Sequence, residues 1–395
     1  MIDPYKLWTG PHNRPLHVEA PIGLYDTTLR DGEQTVGVVL DPEQKLEIAR
    51  ALDSLGINRI EAGFPRVSPE DAGAIRLILN AGLRAEIWGF SRALVADVDA
   101  LVDLGVRAAV IESPVSDAKL TAYGLTREEV ERRVKDAVSH AAAHGIRVAF
   151  FGVDGSRADL EFVQRIYKAA VEAGAEEVVV VDTIGAAAPE TVERLVACVR
   201  GWVPPNVAVH FHGHNDFGLA TASAVSAVRG GASWIHGTIN GMGERAGNAN
   251  LIEVALALSA LYGVATTLRL ERAREASKLV RRLSGYELEP WKPVVGENLF
   301  VRESGAVASQ FHDPPAIEPF AAELVGAERR IVLGKKSGLD SIRIKCEELG
   351  LDVSPERYPA LLAAVKARSA SKRGLVSDDE FREMIAADDR EEGAR

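Results

Sequence analysis

The feature that most constrains this chain is a regular alternation of short apolar runs with amphipathic helical patterns, which extends from residue 22 to about residue 262. The apolar runs predict buried strands, and the patterns between them, several of which close with glycine, predict crossover helices. Strands joined by such helices pair in parallel, and eight units over roughly 240 residues match the size of a closed (β/α)8 TIM barrel. The predicted strands are 22–26, 59–64, 85–90, 108–112, 147–151, 177–182, 207–211 and 234–238.

The alternation stops beyond about residue 262, and this change defines the expected domains. We expect an irregular N-terminal arm at 1–21, a TIM-barrel catalytic domain at 22–285, and a linker with a small, mostly helical C-terminal region at 286–395. The last region is too small and too polar to be a second enzyme domain. We expect it either to cap the barrel or to reach over the open face of a neighbouring subunit.

Composition excludes several classes of partner. The net charge of −11 and the absence of a basic stripe argue against nucleic-acid binding. No apolar run is long enough to span a bilayer and no signal-peptide pattern occurs at the start, so we expect no membrane partner and a cytoplasmic location. The two cysteines, Cys198 and Cys346, lie far apart and do not indicate a disulfide framework.

Polar clusters follow two of the predicted strands. Residues 26–34 (DTTLRDGEQ) follow the first strand, and residues 210–216 (HFHGHND) begin at the end of the seventh. Side chains at positions i and i+2 of an extended chain point to the same side, so His212 and His214 can bind one ion together with a carboxylate from the other cluster. Capped turns or a structural polar network are the alternatives. In a barrel, however, the C-terminal ends of the strands share one face, which favours a divalent-metal site.

Three motifs are similar to signatures of the DRE-TIM metallolyase family, within its homocitrate synthase and isopropylmalate synthase branch. They are residues 26–34, residues 212–220 (HGHNDFGLA) and residues 241–248 (GMGERAGN), with further matches at 60–65, 181–185 and 333–338. The lyase branch of the family is expected to carry a cysteine in the glycine-rich loop, and residues 241–248 contain none. The chain length also favours the homocitrate synthase layout over that of longer isopropylmalate synthases.

The resemblance implies a metal-dependent acyltransferase that condenses an acyl-CoA, commonly acetyl-CoA, with a 2-oxo acid and then hydrolyses the thioester. It assigns the divalent metal, which would be zinc, manganese or magnesium, to Asp31, His212 and His214, with Asn248 nearby. It also implies a homodimer in which the region beyond Pro290 covers a partner's barrel. The apolar residues Leu299, Phe300, Phe311, Ile317 and Phe320 support this assembly, because they need a surface to cover them.

The remaining implied roles concern the substrate. Arg30 would stabilise the oxyanion formed on attack by the carbon nucleophile. Gln34 and Glu61 would position the substrate, although Glu61 could instead anchor a neighbouring side chain. Thr183 would hydrogen-bond the substrate carboxylate.

The acid/base positions of the family are changed in this chain. The family glutamate after the fifth strand is Val153, the tail histidine is Val307, a tail tyrosine is Ile317, and a fourth-strand histidine is Val110. We expect Glu112 and His312 to replace the lost groups; the alternative is that Glu112 pairs with an arginine and His312 is solvated. Two other functions therefore stay open, namely a metal-dependent lyase or aldolase acting on a 2-oxo or 2-hydroxy acid, and a non-catalytic binding homologue.

Overall fold

The described part of the chain forms a closed barrel of eight parallel strands, as the sequence predicts. The computed structural model describes residues 4–18 and 22–392. The strands are β1 Gly23–Asp26, β2 Arg59–Glu61, β3 Glu86–Arg92, β4 Ala108–Pro114, β5 Arg147–Val153, β6 Glu177–Asp182, β7 Ala208–Gly213 and β8 Trp234–Gly237. Each pairs in parallel with the next, and β8 closes the ring on β1 with Gly23 opposite Trp234. The (β/α)8 prediction is confirmed.

Helices connect the strands. They are α1 Pro42–Leu55, α2 Pro69–Leu79, α3 Val95–Leu104, α4 Asp117–Tyr123, α5 Arg127–Ala143, α6 Leu160–Glu172, α7 Pro189–Trp202, α8 Ala220–Arg229, α9 Leu251–Tyr262 and α10 Ala273–Ser284. The start of α1 shows why the chain turns helical there: Asp41 and Gln44 form a reciprocal capping box, and Gly56 ends the helix in the left-handed conformation. Among the described residues, no helix combines the length and the apolar character needed to cross a bilayer.

The interior of the barrel is polar at the N-terminal ends of its strands. Arg59, the first residue of β2, lies 2.6 and 3.0 Å from the two carboxylate oxygens of Glu177, and its guanidinium carbon lies 3.5 Å from the ring centroid of Trp234. The next layer contains His210, whose Nε2 lies 2.5 Å from Glu177 and whose Nδ1 lies 2.9 Å from His236 Nε2. This paired network closes the floor of the barrel, and His210 is completely buried within it.

The chain divides into two compact units, one at residues 11–288 and one comprising residues 289–392 with residues 4–10. The second unit contains β9 Val301–Arg302, β10 Arg330–Ile331, α11 Gly305–Ala308, α12 Leu339–Leu349, α13 Tyr358–Lys372 and α14 Asp378–Glu392. It has its own core, which includes Ile331, Ile342, Val365 and Phe381. The predicted arm contributes to this unit through an antiparallel bridge between Leu7 and Phe320, while its residues 1–3 and 19–21 lie outside the described residues.

Several apolar residues of the tail are covered within the second unit itself. Phe300 and Phe320 are buried and pack edge to face, with ring centroids 5.8 Å apart. Phe311 packs against the core of the same unit. The expectation that these three residues need a partner surface is therefore wrong. The spacing of apolar residues in an irregular stretch does not reveal which side chains will cover them in the folded chain. The dimer itself stays a prediction.

Candidate active site and metal centre

Asp31, His212 and His214 converge at the C-terminal end of the barrel strands. Asp31 lies in the loop after β1, His212 lies in β7, and His214 directly follows β7. Strands β1 and β7 are separated in the barrel by β8 alone. Oδ2 of Asp31 is 3.1 Å from Nε2 of His212 and 3.5 Å from Nε2 of His214, and the two Nε2 atoms are 3.3 Å apart. All three side chains are buried.

These distances match those between ligands of one ion. Two donor atoms bound at about 2.1 Å lie about 3.0 Å apart at a right angle and about 3.4 Å apart at the tetrahedral angle. The three donor atoms that converge here are two imidazole nitrogens and one carboxylate oxygen, a set that suits zinc or manganese. The residues present therefore fit a divalent ion.

Asn248 offers a fourth donor beside the triad. Its backbone forms an antiparallel bridge with His214, and its Nδ2 donates to the carbonyl oxygen of Met242 at 3.0 Å. Its Oδ1 is buried and has no hydrogen-bond partner among the described residues. A buried, unpartnered carbonyl oxygen is costly unless a ligand or water satisfies it, so this atom is suited to complete a coordination shell.

The electrostatics keep Asp31 and His212 deprotonated. Burial opposes ionisation of Asp31, but the charge of Arg30 and hydrogen bonds from His212 and His214 outweigh it and hold the pKa of Asp31 well below its usual range. Burial lowers the pKa of His212 to about 4, although Asp31 acts in the opposite direction. A metal ligand must give up its proton, so these shifts prepare the triad for a cation.

Arg30 is fixed beside the triad. Its Nε donates to Oε1 of Glu61, its Nη1 lies 3.5 Å from Asp31, and its guanidinium carbon lies 4.2 Å from the ring centroid of Phe90. Its Nη2 is buried and has no partner among the described residues. Arg30 thus presents one unused donor next to the metal ligands, where an oxyanion could accept its hydrogen bond.

Glu61 is fully buried at the end of β2. One carboxylate oxygen accepts from Arg30, and the other accepts from the hydroxyl group of Tyr25 at 2.9 Å. Burial raises the pKa of Glu61, although Arg30 opposes the shift. With both oxygens engaged, this geometry favours the anchoring role of Glu61 over direct contact with a substrate.

The structure places the other two predicted substrate residues on opposite sides of the site. Gln34 is exposed and lines a cleft of about 330 Å³ with Arg30 and Phe90. Thr183 follows β6, and its Oγ1 accepts from the backbone amide of Asp154 at 2.7 Å, so its hydroxyl hydrogen can be donated to a substrate oxygen. Both roles stay predictions.

Glu112 points from β4 into a cleft of about 380 Å³ that is also lined by Arg92, Tyr123 and Val153. Burial raises the pKa of Glu112 to about 7, although the charges of Arg30 and Arg92 oppose the shift. Arg92 is paired with Asp97, at 2.6 and 3.1 Å. A carboxyl group that titrates near neutral pH can both accept and donate a proton, which suits the predicted acid/base role.

His312 belongs to the second unit. It is exposed and lines a hollow of about 450 Å³ with Phe311, Glu323 and Arg329. Its role as a catalytic imidazole stays a prediction.

At the positions where the resemblance leads us to expect acid/base residues, this chain has apolar residues, and the adjacent carboxylate is already paired with an arginine. Val110 is fully buried in the apolar interior cluster, and Val307 lies in α11. The carboxylate that follows Val153 in the chain is that of Asp154, which is bound by Arg157 through both oxygens, at 2.8 and 2.6 Å. Asp154 therefore forms a structural ion pair with Arg157. Glu112 is the carboxyl group that faces the cleft beside Val153.

Sequence reasoning missed two residues that shape the site, Tyr25 and Arg245. Tyr25 directly precedes the first motif in the buried strand β1, and that position alone does not reveal the partner of its hydroxyl group. Arg245 donates to Asp216 at 2.8 Å and to the carbonyl oxygen of Thr183 at 2.7 Å. It thereby ties together the loops that follow β6, β7 and β8.

Two families match successive parts of the chain. The HMGL-like family matches residues 21–280, and the family described as "homocitrate synthase post-HMGL domain-like" matches residues 294–373.

Named relatives match over most of the chain. Homocitrate synthase AksA of Methanopyrus kandleri is 42% identical over 374 residues, covering 94% of this chain and 94% of that protein. The 2-isopropylmalate synthase of Methanocaldococcus jannaschii is 39% identical over 362 residues, covering 89% of this chain and 69% of that protein. Among solved structures, the HMG-CoA lyase of Bacillus subtilis superposes with a TM-score of 0.62 at 20% identity, over 69% of this chain and 97% of that one. At this identity, the last likeness concerns the fold alone.

Proposed function

The chain belongs to the HMGL-like family, in the branch that carries the homocitrate synthase post-HMGL domain, and on this premise we propose that it condenses an acyl-CoA with a 2-oxo acid. The observation that carries the proposal is the convergence of Asp31, His212 and His214 beside the unused Nη2 of Arg30. Acetyl-CoA is the proposed acyl donor. The product would be a 2-hydroxy acid with a new carboxymethyl or alkyl-carboxymethyl branch.

The metal site supports the 2-oxo acid half of this reaction. Asp31, His212 and His214 would hold the divalent ion, with Asn248 Oδ1 as a further ligand. When bound, the ion would supply Lewis-acid polarisation of the keto group. Arg30 would donate from Nη2 to the keto oxygen as negative charge develops on it, and its fixed position means that this donor needs no rearrangement. Thr183 would donate to the substrate carboxylate.

The acyl-CoA half requires a base that removes a proton from the methyl group next to the thioester. Val153 cannot exchange a proton, whereas Glu112 lies in the same cleft and has a pKa of about 7. We assign the proton transfer to Glu112. His312 is the second candidate, as a group supplied by the second unit of a partner copy.

The loss of the family acid/base groups at Val110 and Val153 keeps two further candidates open. A metal-dependent lyase or aldolase that cleaves a 2-hydroxy or 2-oxo acid would keep the metal ligands and Arg30 and would need no enolisation of an acyl-CoA. A non-catalytic protein that binds a 2-oxo acid would keep the same residues.

A thiol-release screen separates these functions. The metal-loaded protein would be mixed with panels of 2-oxo acids and acyl-CoAs, and free CoA would be detected with a thiol reagent. Condensation predicts CoA release that depends on both substrates and on metal. Release of a 2-oxo acid from a 2-hydroxy acid, without any CoA, would identify the lyase or aldolase, and tight binding of a 2-oxo acid without turnover would identify the binding protein.

Exposed apolar side chains around the barrel opening support a homodimer. Val36 and Val39 follow β1, Val67 follows β2, Tyr123 ends α4 and Phe217 follows β7, and each is more than half exposed. We call these five residues the apolar rim. We propose that the second unit of a partner copy covers the apolar rim, because large apolar side chains exposed near one another commonly mark an interface. The cytoplasmic location stays a prediction.

A further inference from the structure

Tyr25 links the interior of the barrel to Arg30. Its hydroxyl group donates to Glu61 Oε2 at 2.9 Å, and the other oxygen of Glu61 accepts from Nε of Arg30. Tyr25 and Glu61 are both completely buried. Three side chains thus form a continuous hydrogen-bonded row that ends at the guanidinium group, and we call it the Tyr25–Glu61–Arg30 row.

Packing fixes the direction of the tyrosine hydroxyl. The ring of Tyr25 stacks on the imidazole of His236, with centroids 4.0 Å apart and planes 8° from parallel. It also meets Trp88 edge to face, with centroids 5.5 Å apart. His236 in turn is hydrogen-bonded to His210 at 2.9 Å. The ring therefore has little freedom to move, and its hydroxyl group is held toward Glu61.

The row matters because Arg30 has few other anchors. Within the described part of the chain, its other side-chain contacts are the face of Phe90 and an oxygen of Asp31 at 3.5 Å, and neither sets the rotation of the guanidinium group as strongly as the hydrogen bond from Nε. If Glu61 lost the tyrosine hydroxyl, one of its oxygens would be buried without a partner and its carboxylate could rotate. The direction of Arg30 Nη2 would then no longer be fixed.

We propose that Tyr25 is a positioning residue, whose hydroxyl group holds Glu61 and thereby aims Nη2 of Arg30 at the oxygen of the bound substrate on which negative charge develops. This role depends on the function proposed above, since it concerns the same reaction. The alternative is that Tyr25 only fills the core.

The variant Tyr25→Phe tests the role, because it removes the hydroxyl group and keeps the stacked ring. Tyr167→Phe is a matched control: Tyr167 is also completely enclosed in the barrel unit, and its hydroxyl group donates to the carbonyl oxygen of Val179 at 2.6 Å. Each change removes one buried hydrogen bond, so both variants should lose similar thermal stability. We expect Tyr25→Phe alone to lower kcat by about 10- to 100-fold, the range expected for a lost hydrogen bond to a charged group.

A binding measurement makes the test independent of turnover. Oxalate, a dianion that resembles the chelating end of a 2-oxo acid, would be titrated calorimetrically into the manganese-loaded protein. We expect Tyr25→Phe to weaken oxalate binding about 10-fold, with unchanged manganese affinity and no weakening in Tyr167→Phe. In an Arg30→Gln background, Tyr25→Phe should cause no further loss, since its effect passes through Arg30.

The outcomes separate the two proposals. If no substrate pair gives thiol release but Tyr25→Phe weakens oxalate binding as expected, the positioning role stands and the condensation fails. Equal oxalate affinity in Tyr25→Phe and Tyr167→Phe would overturn the positioning role, and so would an undiminished effect of Tyr25→Phe in the Arg30→Gln background. Loss of manganese affinity in Tyr25→Phe would also overturn it, because the hydroxyl would then support the metal site instead of Arg30.

Discussion

Glu112 is the carboxyl group of the active-site cleft whose pKa lies near neutral pH. Val153 of β5 lines the same cleft, Val110 precedes Glu112 by two positions in β4, and burial raises the pKa of Glu112 to about 7. A carboxyl group at an ordinary pKa would be a weak base at neutral pH. The raised pKa of Glu112 makes it a better one.

Replacing Glu112 tests its proposed proton transfer. We expect Glu112→Gln to lower kcat by about 10²- to 10⁴-fold with unchanged metal content, because glutamine cannot accept the proton. In the wild-type protein, kcat/KM should rise with pH through about 7, as Glu112 loses its proton. Glu190→Gln, on the exposed first turn of α7, is the control and should keep full activity. Full activity of Glu112→Gln would eliminate Glu112 as the base.

The same shift predicts a pH-dependent stability. The pKa of Glu112 is raised from 4.5 to about 7 by folding, so its favourable contribution is present below pH 4.5 and is lost as the pH rises through about 7. Glu112→Gln should therefore raise the free energy of unfolding by about 1–2 kcal/mol at pH 8 and should have no such effect at pH 4. Urea unfolding at the two pH values measures this. A gain of equal size at both pH values would contradict the shift.

At the scale of elements, much of the barrel could be predicted because apolar periodicity reports burial directly. The prediction of β6 at 177–182 agrees with the structure at both ends. The metal ligands could be predicted because β1 and β7 both direct their C-terminal ends to one face. Tyr25 could not be identified in this way, since its role depends on the partner of its hydroxyl group, and that partner is set by the register between β1 and β2.

The loop that carries Asn248 shows how an element supports the site. Gly247 has a positive φ of 83°, and a Cβ atom there would overlap the carbonyl oxygen of Gly241. We expect Gly247→Ala to displace Asn248 and to lower metal affinity at least 10-fold, a range known for residues that support ligands. Gly218→Ala is the control, since Gly218 has a similar φ of 73° but nothing within 4 Å of the added Cβ. Isothermal titration with manganese compares the two, and equal affinities would show that the loop is not required for metal binding.

At the scale of the whole molecule, the sequence-based prediction was wrong about where three apolar tail residues pack. The side chains of the apolar rim, in contrast, are exposed in the structure. Val39 is 83% exposed in the loop that follows β1. We expect Val39→Asp to weaken the proposed dimer at least 10-fold without changing metal content, because the aspartate would have to be desolvated in the interface. Sedimentation velocity over a range of concentrations measures this. A wild-type protein that remains monomeric at micromolar concentration would reject the dimer.

The central claim is that one divalent ion joins Asp31, His212 and His214. The most direct measurement is an anomalous difference map from crystals soaked with Mn²⁺, together with the metal content of His212→Ala. We predict one strong peak within about 2.0–2.3 Å of the three donor atoms in the wild type, and loss of bound metal in His212→Ala while the barrel stays folded. His144→Ala, which alters a histidine after α5, should bind metal normally. A map without a peak at this position, or His212→Ala that retains one ion per chain, would contradict the metal centre and the function built on it.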